Sequence, residues 1–140
     1  MLRQLLLLWL LSVGSYVNHV HWLGSYDKAL ELALKAHKPL LVLVVKKDSK
    51  ASKTILHKHF MNHPYIDSIN KQMIAVIVTY EGQLSYPSEM YYTTVFPTLF
   101  LVDTKTETFI SEPLYEEEID SNSLSEMVKN RRVLYPYNTF

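Results

Sequence analysis

The chain has 140 residues, a length that fits one domain and excludes two full ones. Its 14 basic and 14 acidic side chains cancel, so it lacks the net positive charge that draws proteins to nucleic acid. It contains no cysteine, which excludes disulfide bonds, thiolate zinc sites and catalysis by a thiol.

Residues 1–15 have the pattern of a secretory signal peptide. A single positive charge at Arg3 precedes an apolar run over 5–11, and small residues lead up to Ser15. The run is shorter than the about 20 residues that a membrane-spanning helix needs. We therefore expect an exported protein, periplasmic or secreted, that is cleaved after Ser15 to leave one domain over 16–140. A retained N-terminal anchor stays open as the alternative, and no other membrane contact is expected.

The predicted domain begins with a helix and a buried strand. Ser25 can cap a helix that ends before Lys38 and Pro39. The run 40–45 is apolar at every position, which is typical of a central strand covered on both faces. The helix is predicted to turn one apolar face inward, made of Ala29, Leu30, Ala33 and Leu34.

The middle of the chain predicts a second helix and a second inner strand. Helical spacing extends over 50–62, with Ile55, Leu56 and Phe60 inward, and Pro64 closes it. An apolar run over 73–78 has the composition of another inner strand.

The last third predicts a short helix, a hairpin and a final helix. The short helix is expected around 87–92, and the hairpin from strands 98–102 and 106–110. A capping box of Ser123 and Glu126 is expected to open a helix that runs to about residue 132. The order α-β-α-β-α-β-β-α predicts an α/β fold with a mixed sheet between helices.

These elements and their joints resemble the thioredoxin fold, in the branch of secreted thioredoxin-like domains with a tryptophan before the first helix. The resemblance covers nearly the whole mature chain and implies a three-layer sandwich, a mixed central β-sheet flanked by helices. The matching pieces are Trp22, the helix 25–37, Lys38-Pro39 before strand 40–45, and Val95-Phe96-Pro97-Thr98 before strand 99–103.

The family's C-x-x-C motif is replaced by serines. Its first cysteine follows the Lys-Pro pair by about eleven positions, which places it at Ser49 and the second cysteine at Ser52. Serine forms no disulfide and no reactive thiolate, so the resemblance implies the scaffold without redox chemistry. Use of Ser49 as a hydrolase nucleophile would need a base, and Asp48 and His57 have no positional support for that role. We expect no enzymatic activity and no cofactor.

The resemblance also implies a groove for a peptide or protein partner. In the family, a loop before a cis proline pairs with an extended peptide beside the helix that starts at the C-x-x-C motif, and Phe96-Pro97 matches that bond. The serines are expected to act as polar caps and Phe96 as the apolar contact. The predicted binding residues are Ser49, Lys50, Ser52, Lys53, Phe96 and Pro97.

Three further patterns bear on function. Lys46, Lys47, Lys50 and Lys53 surround a helix start, where free amides favour a small anion or small molecule. The segment 107–126 holds seven acidic residues and no basic one, and with the aromatic tail 135–140 it fits a structural component of an envelope complex. His59 and His63 share a helix face, but no third ligand accompanies them, so no metal site is predicted.

Overall fold

A computed structural model of the chain describes residues 18–80 and 86–134, and only the backbone of 131–134. The predicted signal peptide and the aromatic tail 135–140 lie outside these ranges. Within them, no helix is both long enough and apolar enough to cross a bilayer.

The strands of the described part form one mixed sheet. They are β1 (Trp22–Leu23), β2 (Leu40–Lys46), β3 (Ile74–Tyr80), β4 (Thr98–Asp103), β5 (Thr108–Phe109) and β6 (Leu114–Tyr115). The order in the sheet is β1-β3-β2-β4-β5, with β6 also paired to β4. β2 runs parallel to β3 and antiparallel to β4, and β1 runs parallel to β3.

Helices cover both faces of this sheet. They are α1 (Tyr26–Ala36), α2 (Lys50–His59), α3 (Tyr65–Gln72) and α4 (Ser121–Leu134). On β2, Leu41 and Leu43 pack into a core with α2, α3 and α4, whereas Leu40, Val42 and Val44 pack into a second core with α1. The predicted α/β three-layer sandwich is confirmed, and the apolar run 40–45 is its central strand as predicted.

In the middle of the chain, one predicted helix begins at Lys50 as expected but ends early, and another predicted helix is wrong. The helix predicted over 50–62 stops at His59, and α3 follows as a separate helix that sequence analysis missed. Pro64 does not end a helix but stands just before α3, where the missing N–H of proline costs nothing. The expected helix over 87–92 is a turn, in which the carbonyl of Pro87 accepts hydrogen bonds from the amides of Met90 and Tyr91.

Three smaller predictions are also corrected. The cap of α4 is Asp120, whose carboxylate accepts from the Ser123 amide at 2.8 Å, so the capping box at Ser123 is wrong. Leu34 is 45% exposed rather than inward, since Ala29 and Ala33 take the centre of the buried face. The second hairpin strand is β5 alone, two residues long, instead of 106–110.

A buried pair of tyrosine hydroxyls joins α1 to the loop before β4. The hydroxyl oxygens of Tyr26 and Tyr91 lie 2.8 Å apart, and Tyr91, 1% exposed, packs edge-on against Phe100. Burial raises the pKa of both phenols above their ordinary value. The loop is thus fixed to α1 by a hydrogen bond shielded from water.

We expect Tyr91→Phe to lower the free energy of unfolding by about 1–2 kcal/mol, because the Tyr26 hydroxyl stays buried without its partner. The double variant Tyr26→Phe/Tyr91→Phe should lose less than the sum of the single variants, since it leaves no unpaired hydroxyl. Urea denaturation measures all three free energies. Losses that simply add would show that the two hydroxyls do not interact.

The same pair predicts a loss of stability at alkaline pH. The folded chain keeps both phenolic protons at a pH where unfolded tyrosine, with an ordinary pKa of 10.0, releases them. Their contribution is therefore complete below pH 10 and falls as the pH rises beyond it. From about pH 9 to about pH 11, wild type should lose more unfolding free energy than the double phenylalanine variant. Equal losses in the two proteins would contradict this account.

Candidate functional site

The carboxyl end of β2 and the amino end of β4 lie side by side at one edge of the sheet. Val44 is opposite Thr98 in the antiparallel register, so the turn after Lys46 faces the loop before Thr98. The Lys46 ammonium lies 5.9 Å from the centre of the Phe96 ring, within the range of a cation–π interaction. The Phe96-Pro97 bond is cis, as expected. The sheet register therefore brings the two predicted halves of the site together.

The turn after β2 leads directly into the start of α2. Asp48 has a φ of 62°, in the left-handed region that aspartate tolerates. Ser49 then caps α2, because its hydroxyl accepts a hydrogen bond from the Ser52 amide at 3.1 Å. The predicted capping role of Ser49 is confirmed.

Ser52 does not act as a cap. The residue is only 3% exposed, and its hydroxyl oxygen has no hydrogen-bond partner in the part of the chain that the structure describes. A buried position without a hydrogen-bond partner accepts a sulfhydryl more readily than a hydroxyl, because the hydroxyl loses more when it leaves water. Burial also keeps this hydroxyl away from any partner at the surface.

The loop before β4 is held by two threonines and presents Phe96. The Thr93 and Thr98 hydroxyls lie 2.9 Å apart, and the Thr98 hydroxyl donates to the Val95 carbonyl at 2.6 Å. Phe96, half-buried, packs against Tyr80 with ring centres 4.9 Å apart. Sequence analysis missed Tyr80, because its place beside Phe96 depends on the pairing of β3 with β2.

The backbone of Phe96 is available for pairing. Neither its amide nor its carbonyl makes a hydrogen bond with any residue in 18–80 or 86–134, whereas the Pro97 carbonyl accepts from the Glu116 amide at 2.8 Å. Such a free donor and acceptor on one half-exposed residue can each pair with an extended chain.

The accessible side chains at this edge are mostly cationic. Lys46, Lys47, Lys50 and Lys53 are exposed, α2 has no acidic residue in its first turn, and none of these lysines forms an ion pair with a described residue. We call this surface the Phe96 groove. It consists of Lys46, Ser49, Lys50, Lys53, Tyr80 and Phe96, while the side chains of the predicted Ser52 and Pro97 lie buried beneath it.

The histidines lie elsewhere. His59 and His63 stack with ring centres 6.4 Å apart, and His63 uses its Nε2 to donate to the Lys58 carbonyl. Burial lowers the pKa of His59, and the charge of Lys58 adds to the effect. Across the described ranges, no three histidine or carboxylate side chains are placed to hold a metal ion.

Replacement of the two serines by alanine should change the free energy of unfolding in opposite directions. Ser49→Ala removes the cap of α2 and is expected to lower the free energy of unfolding by about 1 kcal/mol. Ser52→Ala removes a buried unpaired hydroxyl and is expected to raise it by up to about 1 kcal/mol. Thermal and urea unfolding of both variants measure the signs. A loss in both variants would contradict the assignment of Ser52.

No protein-family model and no curated protein matches the chain. Fifteen chains of solved structures are similar to it, among them the following two. One, described as a DsbH oxidoreductase, has a TM-score of 0.65 at 18% identity over 84% of this chain and 87% of its own. The other, a thioredoxin from Thermus thermophilus, has a TM-score of 0.59 at 15% identity over 83% of this chain and 87% of its own. At such identities the likeness concerns the fold alone: the chain has a thioredoxin-like fold.

Proposed function

We propose that the protein is an exported, redox-inactive thioredoxin-like protein that binds an extended peptide segment of a partner protein in the Phe96 groove. The proposal of export rests on the signal-peptide pattern of residues 1–15. The proposal of redox inactivity rests on the absence of cysteine from the sequence.

The observation that carries the proposal is the unpaired backbone of Phe96. An extended peptide that lies along this residue gains two backbone hydrogen bonds, and neither displaces a bond within the described part of the fold. The half-buried ring of Phe96, backed by Tyr80, offers apolar contact beside those bonds. This combination supports strand-like recognition of a backbone with one apolar side chain.

The charges around the groove indicate which kind of residue would flank the apolar side chain of the bound peptide. Lys46, Lys50 and Lys53 are exposed and have no acidic partner among the described residues. The start of α2 adds its own partial positive charge on the same side. A peptide with acidic residues next to its apolar anchor would complement this surface, and the charges would speed association more than they strengthen it.

Recognition without chemistry also agrees with the geometry of Ser49. Its hydroxyl is used as the cap of α2, and no histidine or carboxylate in the described ranges hydrogen-bonds to it. A serine nucleophile needs a base within hydrogen-bond reach. We therefore place Ser49 in the groove as a polar contact and not as a catalytic residue.

A small anion is the second candidate ligand, favoured by the unpaired lysines and the uncapped amides of the first turn of α2. The two ligands differ in salt dependence. Binding by lysines alone should weaken steeply between about 0.05 M and about 0.3 M salt, because exposed charges are screened over this range. Binding of a peptide through backbone pairing beside Phe96 should persist over the same range of salt concentration.

The test is a quantitative pull-down from an envelope extract of the source cells. We expect wild type to enrich a partner that Phe96→Asp loses by roughly tenfold or more, because an acidic side chain replaces the apolar contact and repels acidic flanks. Lys50→Glu/Lys53→Glu should reduce the same capture in a salt-dependent manner.

Leu32→Asp is the matched control, since Leu32 is 46% exposed on α1, away from the groove, and receives the same change of charge. It should capture the partner as wild type does.

Capture that survives Phe96→Asp would overturn the proposal that the partner binds in the Phe96 groove. The acidic segment 107–126 and the tail 135–140 would then be examined as parts of a structural complex. If only inorganic anions bind, and salt abolishes their binding, the second candidate replaces the first.

A further inference from the structure

A bulge in the hairpin after β4 opens a cavity on the α4 side of the sheet. The Ile110 amide pairs with the Leu101 carbonyl at 2.8 Å, and Leu114 is opposite Leu99. Between these two pairs the returning chain takes four residue steps, from 110 to 114, whereas β4 takes two, from 101 to 99. The returning chain therefore contains two extra residues. The extra residues leave the plane of the sheet, and Pro113 among them has no amide to pair.

The cavity has a volume of about 220 Å³. Its apolar wall comes from two strands and a helix, since Leu99 and Leu101 reach it from β4, Leu114 from β6 and Met127 from α4. Its other residues are polar and lie on the bulge and along one side of α4. The described residues that line it are Leu99, Leu101, Ser111, Glu112, Leu114, Ser123, Glu126, Met127 and Asn130.

The charged side chains among the described lining residues are both acidic. Glu112 from the bulge and Glu126 from α4 are exposed, and the lining residues that the structure describes include no lysine, arginine or histidine. Neither carboxylate forms an ion pair with a described side chain. An apolar wall beside two carboxylates complements a ligand with an apolar body and a cationic end.

We propose that this cavity binds a small organic cation: a protonated amine or guanidinium on a short apolar body. At the packing density of protein interiors, about 0.74, its volume holds on the order of ten non-hydrogen atoms. The body would lie against Leu99, Leu101 and Met127, and the cation between the carboxylates of Glu112 and Glu126. The serine hydroxyls of the lining can accept its remaining hydrogen bonds.

This site is separate from the Phe96 groove. Leu99 and Leu101 belong to the core that packs against α4, whereas Phe96 packs against the opposite core with α1. The inference therefore does not depend on peptide binding, and either proposal can fail without the other.

The experiment titrates the full chain with three probes of nearly equal shape: 2-phenylethylammonium, 2-phenylethanol and phenylacetate. Methyl resonances report the location, and we expect shifts at Leu99, Leu101, Leu114 and Met127. Each of the two exposed glutamates is expected to strengthen the binding of a cation about threefold. The ammonium probe should therefore bind about tenfold tighter than 2-phenylethanol, and phenylacetate should bind most weakly.

Glu112→Gln and Glu126→Gln should each lower the affinity for the ammonium probe by about threefold and leave the affinity for 2-phenylethanol unchanged. Glu117→Gln, in the same acidic segment but outside the cavity lining, is the matched control and should bind like wild type. Equal affinity for the ammonium and the alcohol, unchanged affinity in both cavity variants, methyl shifts elsewhere, or no binding of any probe would each overturn the proposal. Unfolding curves of the variants establish that they are folded.

Discussion

The pairing of β2 on both of its sides is the constraint on which the rest of the structure depends. β3 pairs with it in parallel along its full length and β4 antiparallel along most of it, and the side chains from Leu40 to Val44 are completely buried. Burial on both faces requires a helical layer above and below, which the two separate cores provide. A one-residue shift in register would move every side chain of β2 to the opposite core. Because the run is apolar at every position, the register is specified by how the individual side chains pack in the two cores and not by the run itself.

The same register builds the candidate site. It places the end of β2 beside the loop before β4, so Lys46 lies over Phe96 and the cap of α2 follows three residues later at Ser49. At the start of α2, the hydroxyl of Ser52 is buried without a partner among the described residues, which costs stability. The edge offers a free backbone at Phe96, an aromatic surface and positive charge, and these three features are the basis of the proposed peptide binding.

Sequence patterns predicted those elements whose signal is local. The run 40–45, the cap at Ser49 and the pair Phe96-Pro97 were each visible as a pattern or a matched motif. Helix α3 was missed because Ile66 and Ile69 stand among polar residues and Pro64 resembles a stop signal. The buried state of Ser52 and the contact of Tyr80 with Phe96 depend on tertiary packing and β-pairing, which no local pattern carries. The bulge at 111–113 depends likewise on how the hairpin meets β4.

The measurement that tests the central claim most directly is amide hydrogen exchange of the chain with and without a captured partner peptide. Strand-like pairing in the Phe96 groove predicts that exchange of the Phe96 amide slows by at least about tenfold in the complex, since this amide gains a hydrogen bond. Amides of the exposed residues 105–107, in the turn at the opposite end of β4 from Phe96, should keep their rates. An unchanged Phe96 amide, with new protection in 107–126 or on α1 instead, would contradict the account.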